Sequence, residues 1–394
     1  MTGADPQRPR DRRRPVVLRP ADAGEAVEAV LEGAKARGRL RIAGAGTAAE
    51  WGGMRPDPDA AVLSTERLRG VVDHQPDDMV LVVRAGTPLA ELAPELAAHG
   101  QRLALDPARA EEGATVGGLL ATADAGPLRQ LHGGPRDLVL GVTVVLADGT
   151  AARSGGRVIK NVAGYDLAKL LSGSLGTLGL VVELAVRLHP VPEATATWAV
   201  PCADRAALAV ARRAEAAGAE PAAMQWADLG DGSEPRLLLR FEGGEGALTE
   251  RLAAVAEVLP AGRALRGDAE DAAWAATAAA VRGGAFRVTA APGAFPLVDA
   301  VPAGTVRVRE VGGGVETVAP GETSVVDAYR AAADPVGRTL MPHRRSAGGV
   351  VLADPATLPV RTALKRALDP EGRLPGPLSS PARFPAPPAG RADT

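Results

Sequence analysis

The sequence predicts an α+β protein built from two mixed units. Over the first part of the chain, apolar runs and helical segments follow one another in the order β-α-β-β-β-α, without the regular β-α alternation of a doubly wound sheet. Glycine clusters interrupt this part, whereas the part beyond Thr195 carries Ala- and Arg-rich helices and no dense glycine motif. The 394 residues, 46% of them hydrophobic, suffice for about two or three domains with a real core.

The first elements can be predicted from caps and apolar spacing. Residues 1–14 are Arg-rich, and because no apolar stretch follows them we expect a disordered basic arm rather than a leader peptide. A strand is predicted over Val16–Leu18, followed by a helix that Asp22 caps and that runs to Arg37. The next strand, Leu40–Ala43, leads into the first glycine cluster.

Three further strands and a helix follow that cluster. Apolar runs predict strands over Ala61–Ser64, Leu68–Asp73 and Met79–Ala85. Thr87 is expected to cap the next helix, which has proline at its first position and glycine just past its end.

The stretch up to Pro190 is predicted to complete a first domain over residues 15–190. Asp148 and Gly149 form a strong hairpin signal within it. The character of the sequence changes after Pro190, which sets the boundary. The predicted elements are a helix over 115–123, a strand over 137–146 with its return over 151–153, a helix over 165–172 and a strand over 178–188.

The remainder of the chain is predicted to contain a smaller domain and a return segment. Residues 191–345 are expected to form the second α+β unit. Residues 346–376 would return to the first domain and include a helix over Leu358–Leu368. Residues 377–394 are rich in proline and are expected to be a disordered tail.

Composition excludes several classes of function. A net charge of −2 and an aromatic content of 3% argue against a nucleic-acid-binding protein. The single cysteine, Cys202, cannot form an internal disulfide, an iron–sulfur site or a cysteine-based zinc site. The five histidines show no ligand spacing, so no metal is expected. No run approaches the ~18 apolar residues of a membrane helix, so no transmembrane segment is expected and a cytoplasmic location is predicted.

The segment Gly44–Ala49 matches the G-x-G-x-x-A dinucleotide fingerprint, but its context does not. A Rossmann site requires a helix directly after the turn, whereas EWGGMRPDPDA, with two glycines and two prolines, follows here. Small residues after a strand can instead offer consecutive backbone N–H groups to an anion. An ordinary tight turn is the alternative, and this motif alone leaves both open.

Four segments carry similarity to a known family. They are Arg41–Gly53, Val83–Pro107, Gly113–Thr150 and Gly155–Pro190, and the last contains KNVAGYDLAKLLSGSLGTLG. They resemble the FAD-binding domain of the vanillyl-alcohol oxidase (PCMH-type) family, and within it most closely the second FAD-binding subunits of bacterial glycolate oxidases. This resemblance implies a two-subdomain PCMH-type FAD-binding domain followed by a smaller α+β cap domain of the substrate-binding type.

The resemblance also implies which residues contact FAD. Glycines are expected where the cofactor lies against the main chain, because they carry no Cβ. The implied contacts are Ala43, Gly44, Ala45, Gly46 and Thr47 with the diphosphate, Thr115, Gly117 and Gly118 with the diphosphate and ribityl chain, Gly176 and Gly179 with the adenosine, and the main chain of Leu180 and Val181 with the adenine edge.

Three other residues have further assignments. Lys160 is a candidate for the cation beside the flavin N1–C2=O edge, with an ordinary surface lysine as the alternative. Asp137 either contacts the flavin or serves as a cap or as a partner of Arg136. Tyr165 is expected to be a packed residue with a satisfied hydroxyl rather than a catalytic acid.

By resemblance, the chain takes part in oxidising glycolate or a related 2-hydroxy acid. Non-covalent FAD is expected, because residues 39–53 hold no histidine. The implied partners are a longer FAD-containing catalytic subunit and an iron–sulfur subunit, through which the chain would associate with a membrane. The alternatives are a free-standing FAD-dependent oxidase or dehydrogenase of a 2-hydroxy acid or alcohol, and a non-catalytic assembly subunit.

The chain departs from the family in two places. Nothing resembles the H-x-G-D-G-N motif of related catalytic subunits, so no catalytic base is identified and turnover by the chain alone is not implied. The C-terminal return, LKRALDPEGRLPGPL over Leu364–Leu378, has altered asparagine and arginine positions. A weaker contact with the FAD-binding domain is therefore expected.

Overall fold

The computed structural model describes residues 15–53, 57–157, 165–289, 301–311, 314–320, 322–333, 339–343 and 357–376. These residues form a mixed N-terminal unit, an antiparallel sheet with its helices, and a final segment that returns to the first unit. The predicted α+β class is confirmed. The predicted basic arm and proline-rich tail lie outside the described residues. None of the described helices combines the length and apolar character that crossing a bilayer requires.

The N-terminal unit contains ten strands. They are β1 (Val17–Leu18), β2 (Leu40–Ala43), β3 (Ala61–Ser64), β4 (Val71–Gln75), β5 (Val80–Arg84), β6 (Gln101–Arg102), β7 (Val139–Val145), β8 (Ala151–Gly155), β9 (Leu180–Arg187) and β10 (His189–Pro190) among the described residues. A parallel sheet has the order β1-β3-β2, and an antiparallel sheet has the order β4-β5-β9-β7-β8. β10 pairs with β6.

Six helices accompany these strands in the described part of the unit. They are α1 (Ala23–Arg37), α2 (Leu89–Ala97), α3 (Val116–Thr122), α4 (Arg129–His132), α5 (Pro135–Leu138) and α6 (Leu167–Leu171). The α1 helix begins as predicted, because Asp22 Oδ1 accepts the Glu25 amide at 2.9 Å. Thr87 does not cap α2, and that prediction is wrong. Pro88 occupies the cap position, and the Thr87 hydroxyl donates to the Arg84 carbonyl at 2.7 Å.

The α1 helix lies between the two sheets. Its Ala26 and Val30 pack with the parallel sheet and with Leu180 and Val182 of β9. Helices α2 and α3 pack on the opposite face of the antiparallel sheet. Side chains alternate along a strand, so Val181 of β9 faces α3. This alternation places one face of β9 beside the cavity described below.

The second unit is built on an eight-stranded antiparallel sheet. Its order is β14-β11-β13-β12-β16-β17-β15-β18. The strands are β11 (Ala194–Pro201), β12 (Ala223–Asp228), β13 (Arg236–Gly243), β14 (Arg263–Leu265), β15 (Phe286–Thr289), β16 (Val306–Glu310), β17 (Val315–Ala319) and β18 (Thr339–Pro342). The helices in its described part are α7 (Asp204–Ala216), α8 (Glu245–Val258), α9 (Asp268–Gly283) and α10 (Thr323–Ala333).

One face of this sheet meets the N-terminal unit. Helices α7 and α8 cover one face of its first half. Trp274 of α9 packs on the other face, together with Leu128 of the N-terminal unit. The Arg282 guanidinium adds a bond to the Ala108 carbonyl at 3.0 Å. Because this sheet lies against the N-terminal unit, we call it, together with its helices, the cap sheet.

The C-terminal segment begins with α11 (Leu358–Leu368) and packs closely on the N-terminal unit. The Leu40 amide donates to the Arg373 carbonyl at 2.7 Å, and Arg373 Nη1 donates to the Ala147 carbonyl at 2.8 Å. Leu374 is buried in the cluster that includes α1. These bonds use main-chain groups and the arginine that directly follows the glycine of DPEG, and whether the contact is weaker than in the family remains a prediction.

Candidate cofactor site

A cavity opens in the N-terminal unit where three glycine-containing segments meet. Its walls are the loop after β2, the first turns of α3 and the turn before β9. The empty volume is ≈ 1240 Å³, solvent at the open mouth included. The lining includes these predicted residues: Ala43, Gly44, Ala45, Gly46, Thr47, Thr115, Gly117, Gly118, Gly176, Gly179 and Val181.

The loop after β2 presents backbone donors to the cavity. Across the described part of the chain, the amides of residues 44–47 donate to no protein acceptor. Gly46 has a φ of +83°, and the Ala49 amide closes the turn on its carbonyl at 3.1 Å. Successive N–H groups in such a turn form an anion-binding concavity. The geometry favours this interpretation over an ordinary tight turn.

The start of α3 forms the second wall. Thr115 caps the helix by accepting the Gly118 amide at 3.2 Å. A Cβ on Gly117 would lie 2.6 Å from the Ala85 Cβ and 2.9 Å from the Ala85 carbonyl oxygen. Gly117 is therefore required for the contact of α3 with the end of β5, a different reason from the cofactor approach that the sequence predicted.

The turn before β9 forms the third wall. Leu175 and Gly176 both lie in the left-handed region, with φ of 53° and 72°. The Leu175 amide donates to the Ala121 carbonyl at 2.7 Å, which ties the turn to the end of α3. A Cβ on Gly179 would lie 2.7 Å from Val144 Cγ2. This turn is therefore fixed by packing on both sides.

Comparison with known families identifies the unit. Residues 15–155 match the family described as FAD binding domain, and this range holds both the loop after β2 and α3. This unit is an FAD-binding domain. FAD is accordingly its cofactor.

Three curated relatives match parts of the chain. Glycolate oxidase subunit GlcE of Escherichia coli is 42% identical over 127 residues, 32% of this chain and 36% of that protein. D-lactate dehydrogenase of Archaeoglobus fulgidus is 37% identical over 188 residues, 47% of this chain and 41% of that protein. Glycolate oxidase subunit GlcD of Bacillus subtilis is 35% identical over 147 residues, 37% of this chain and 31% of that protein. The alignments thus span well under half of each relative.

A solved structure shares the fold across both units. An alkyldihydroxyacetonephosphate synthase superposes with a TM-score of 0.64 at 17% identity, covering 91% of this chain and 75% of that one. This likeness concerns the fold alone. The superposition extends over the cap sheet as well as over the FAD-binding domain.

The charges around the cavity suit the FAD diphosphate. Arg41 lines the cavity, and its buried Nε has no hydrogen-bond partner. Asp124 is the one carboxylate in the described lining, and Arg287 of the cap sheet neutralises it at 2.8 Å. The 44–47 amides and the Arg41 guanidinium therefore offer donors to an anionic ligand, while the carboxylate is paired.

Four predicted residues lie elsewhere or outside the described part. Asp137 is not in the described lining, and its Oδ2 accepts the Gly134 amide at 2.9 Å as a helix cap. The Leu180 side chain is buried beside α1 and is not in the described lining, whereas the contact expected of its main chain with the adenine edge remains a prediction. Lys160 lies outside the described residues. The expectation that Tyr165 is packed is wrong, because 91% of this residue is exposed.

An interdomain cluster adjoins the cavity through Asp124, which belongs to both, and the sequence did not predict it. Trp51 stacks on His343 of the cap sheet with ring centroids 3.9 Å apart. The guanidinium carbons of Arg109 and Arg287 lie 4.7 and 4.9 Å from the Trp51 ring centre. Arg109 Nη1 is also 4.0 Å from Asp124. We name these five residues the interdomain cluster.

His343 is held as a neutral ring within this cluster. Burial, followed by the nearby charges of Arg287 and Arg109, lowers its pKa well below the usual value. Neither ring nitrogen has a hydrogen-bond partner. Trp51 and Asp124 belong to the segments that resembled the family, but nothing in the sequence linked them to His343 or Arg287.

Two carboxyl groups, that of the buried Glu310 and that of the half-buried Asp106, lie where the cap sheet meets the FAD-binding domain. Burial raises the pKa of Glu310 to about 7 and that of Asp106 to about 6. Arg129 lies 3.8 Å from Glu310, and it and Arg287 lower the Glu310 pKa, whereas Asp106 and Asp124 raise it further. The interface thus binds protons that the unfolded chain would release.

This shift predicts a pH dependence of stability. Between the unfolded pKa of 4.5 and the folded value of about 7, the folded chain holds a proton on Glu310 that the unfolded chain has lost. The free energy of unfolding should therefore fall as the pH rises from 5 to 7. Against Glu310→Gln, we expect the parent to lose roughly 2–3 kcal/mol more over this range in urea titrations. Parallel pH profiles would contradict this prediction.

Proposed function

We propose that the chain is the FAD-binding subunit of a 2-hydroxy-acid dehydrogenase complex of the glycolate-oxidase type. The observation that carries this proposal is the row of unpaired amides at residues 44–47 in a cavity of the FAD-binding domain. Relatives named as glycolate oxidase subunits and as a D-lactate dehydrogenase indicate the substrate class. Glycolate and D-lactate share a hydroxyl group next to a carboxylate, which defines that class.

The residues of the chain would bind and orient the cofactor. The 44–47 amides and Arg41 would hold the diphosphate, while Thr115 and Gly118 keep the start of α3 open beside it. The 174–179 turn and Val181 would contain the adenosine end. FAD, when bound, supplies the acceptor for the hydride and passes electrons onward. Attachment would be non-covalent, because the described lining contains no histidine, cysteine or tyrosine.

A partner would supply the base for substrate oxidation. In the described lining, Asp124 is the one side chain of acid–base type, and its carboxylate is bonded to Arg287. His343 is packed against Trp51 and is absent from that lining. A base must reach the proton that it removes, and neither group is placed to do so. We therefore propose a longer FAD-containing catalytic subunit and an iron–sulfur subunit as partners.

The proposal also includes a location. The chain would be cytoplasmic and would reach a membrane through its partner subunits, since none of the described helices could span a bilayer. Fractionation of cells with and without the genes for the partners tests this part. Sedimentation of the chain with membranes in the absence of partners would contradict it.

Anaerobic visible spectroscopy tests the function. The FAD-loaded chain should keep its oxidised flavin spectrum when glycolate or D-lactate is added, and should be bleached only after the catalytic partner is added. Prompt bleaching of the chain alone would favour the alternative of a free-standing dehydrogenase. Failure to retain FAD would favour a non-catalytic assembly subunit. Gly46→Ala, which is expected to weaken FAD binding, is the matched control.

A further inference from the structure

A buried lysine of the C-terminal segment contacts the turn that lines the FAD cavity. Lys365, on α11, is only 7% exposed. Its Nζ donates to the Thr177 carbonyl at 2.7 Å, to Asp369 Oδ2 at 2.6 Å and to the Leu374 carbonyl at 3.2 Å. An ammonium group has three N–H donors, so this set of acceptors uses all of them.

Asp369 neutralises the ammonium group and is itself fully engaged. Its Oδ1 accepts the Arg373 amide at 2.9 Å, and its Oδ2 accepts the Leu374 amide at 2.9 Å. A buried charge pair is tolerated where further hydrogen bonds satisfy its remaining groups. The segment 369–374 is therefore folded around the Lys365–Asp369 pair and cannot move independently of it.

The turn that Lys365 contacts depends on its surroundings. Ser174, Leu175 and Gly176 line the cavity, and the latter two have positive φ. For leucine this conformation is strained, and it persists only when neighbouring groups fix it. The Ala121 carbonyl holds one side of the turn through the Leu175 amide. The Lys365 ammonium holds the other side through the Thr177 carbonyl.

We propose that Lys365 is a positioning residue of the FAD site. By holding the Thr177 carbonyl it fixes the 174–179 turn against the cofactor, so that FAD affinity depends on this one contact between the C-terminal segment and the turn. Pro375, which directly follows the folded segment, lines the same cavity. The inference rests on FAD binding by the domain and not on the proposed substrate.

Lys365→Met tests this role. FAD affinity of the full chain is measured by titration with flavin fluorescence, after circular dichroism has shown that the variant is folded. We expect the dissociation constant to rise at least tenfold. Arg373→Met is the matched control, because it removes a bond from the same segment to the Ala147 carbonyl and leaves the turn untouched. Its FAD affinity should stay within twofold of the parent.

Two further measurements keep the proposal open to contradiction if Lys365→Met fails to fold. The double variant Lys365→Met/Asp369→Asn leaves no unpaired buried carboxylate, and it should show the same loss of affinity. In the unmodified chain, FAD should slow hydrogen exchange in the 174–179 turn and in residues 365–374 together. An affinity within twofold of the parent in either Lys365 variant, or protection of the turn alone, would overturn the proposal. Each variant is compared with the parent chain in its affinity for FAD, and no substrate is used. The result is therefore the same if the proposed 2-hydroxy-acid substrate is wrong.

Discussion

Asp124→Ala should lower the free energy of unfolding by about 3–5 kcal/mol. The carboxylate bonds to Arg287 at 2.8 Å and lies 4.0 Å from Arg109. Without it, two buried guanidinium groups that lie 4.7 and 4.9 Å from the Trp51 ring centre lose the carboxylate near both of them. Urea unfolding of the FAD-free chain, followed by tryptophan fluorescence, measures the loss.

Two variants identify the cause of that loss. Asp124→Ala/Arg287→Met also removes the guanidinium that bonds to Asp124 and should recover much of the stability, because the cost comes from a buried charge left without its carboxylate. Glu66→Ala breaks the exposed Arg19–Glu66 pair and should cost about 0–1 kcal/mol. A loss below 1 kcal/mol for Asp124→Ala would show that the interdomain cluster does not hold the cap sheet on the FAD-binding domain.

Gly46→Ala should weaken FAD binding about 30-fold, which corresponds to losing one charge-assisted hydrogen bond of about 2 kcal/mol. Gly46 has a φ of +83°, and a Cβ there would meet no protein atom within 4 Å. Since Gly46 lines the cavity, the added methyl group would enter the space of the diphosphate. Titration with FAD, followed by quenching of flavin fluorescence, measures the change.

Gly218→Ala is the matched control for this prediction. Gly218 has a φ of +74° and an equally open Cβ position, but it follows α7 in the cap sheet unit, outside the described lining. Both substitutions impose the same left-handed strain, about 1–2 kcal/mol. Only Gly46→Ala should alter FAD affinity. Equal affinities of the two variants would mean that the loop after β2 does not hold the diphosphate.

The sequence could predict those parts of the site that depend on local backbone. A strand followed by small residues at Gly44–Thr47, a capped helix start at Thr115 and a glycine turn at Gly176 each leave a pattern within a few residues. The three segments come together in the structure because their strands and helices share one core. Their individual atomic contacts with FAD remain predictions.

The parts of the site that the sequence did not predict depend on contacts between residues that lie far apart in the chain. Arg287 reaches Asp124 across 163 residues, and its position depends on the register of the cap sheet. In the sequence, Lys365 cannot be distinguished from an exposed lysine on a helix. Only the fold shows that its side chain is buried. Gly117 was assigned to cofactor approach, whereas its contact with Ala85 accounts for the glycine. In each case the decisive neighbour lies far away in sequence.

Retention and release of flavin test the central claim most directly. The purified chain is saturated with FAD, passed through a desalting column and measured at visible wavelengths, then precipitated with acid. The account predicts about one FAD for each chain after desalting, with all of the flavin in the supernatant after precipitation. Protein that leaves the desalting column without flavin would contradict the FAD site in the cavity, and flavin that stays with the precipitate would contradict non-covalent binding.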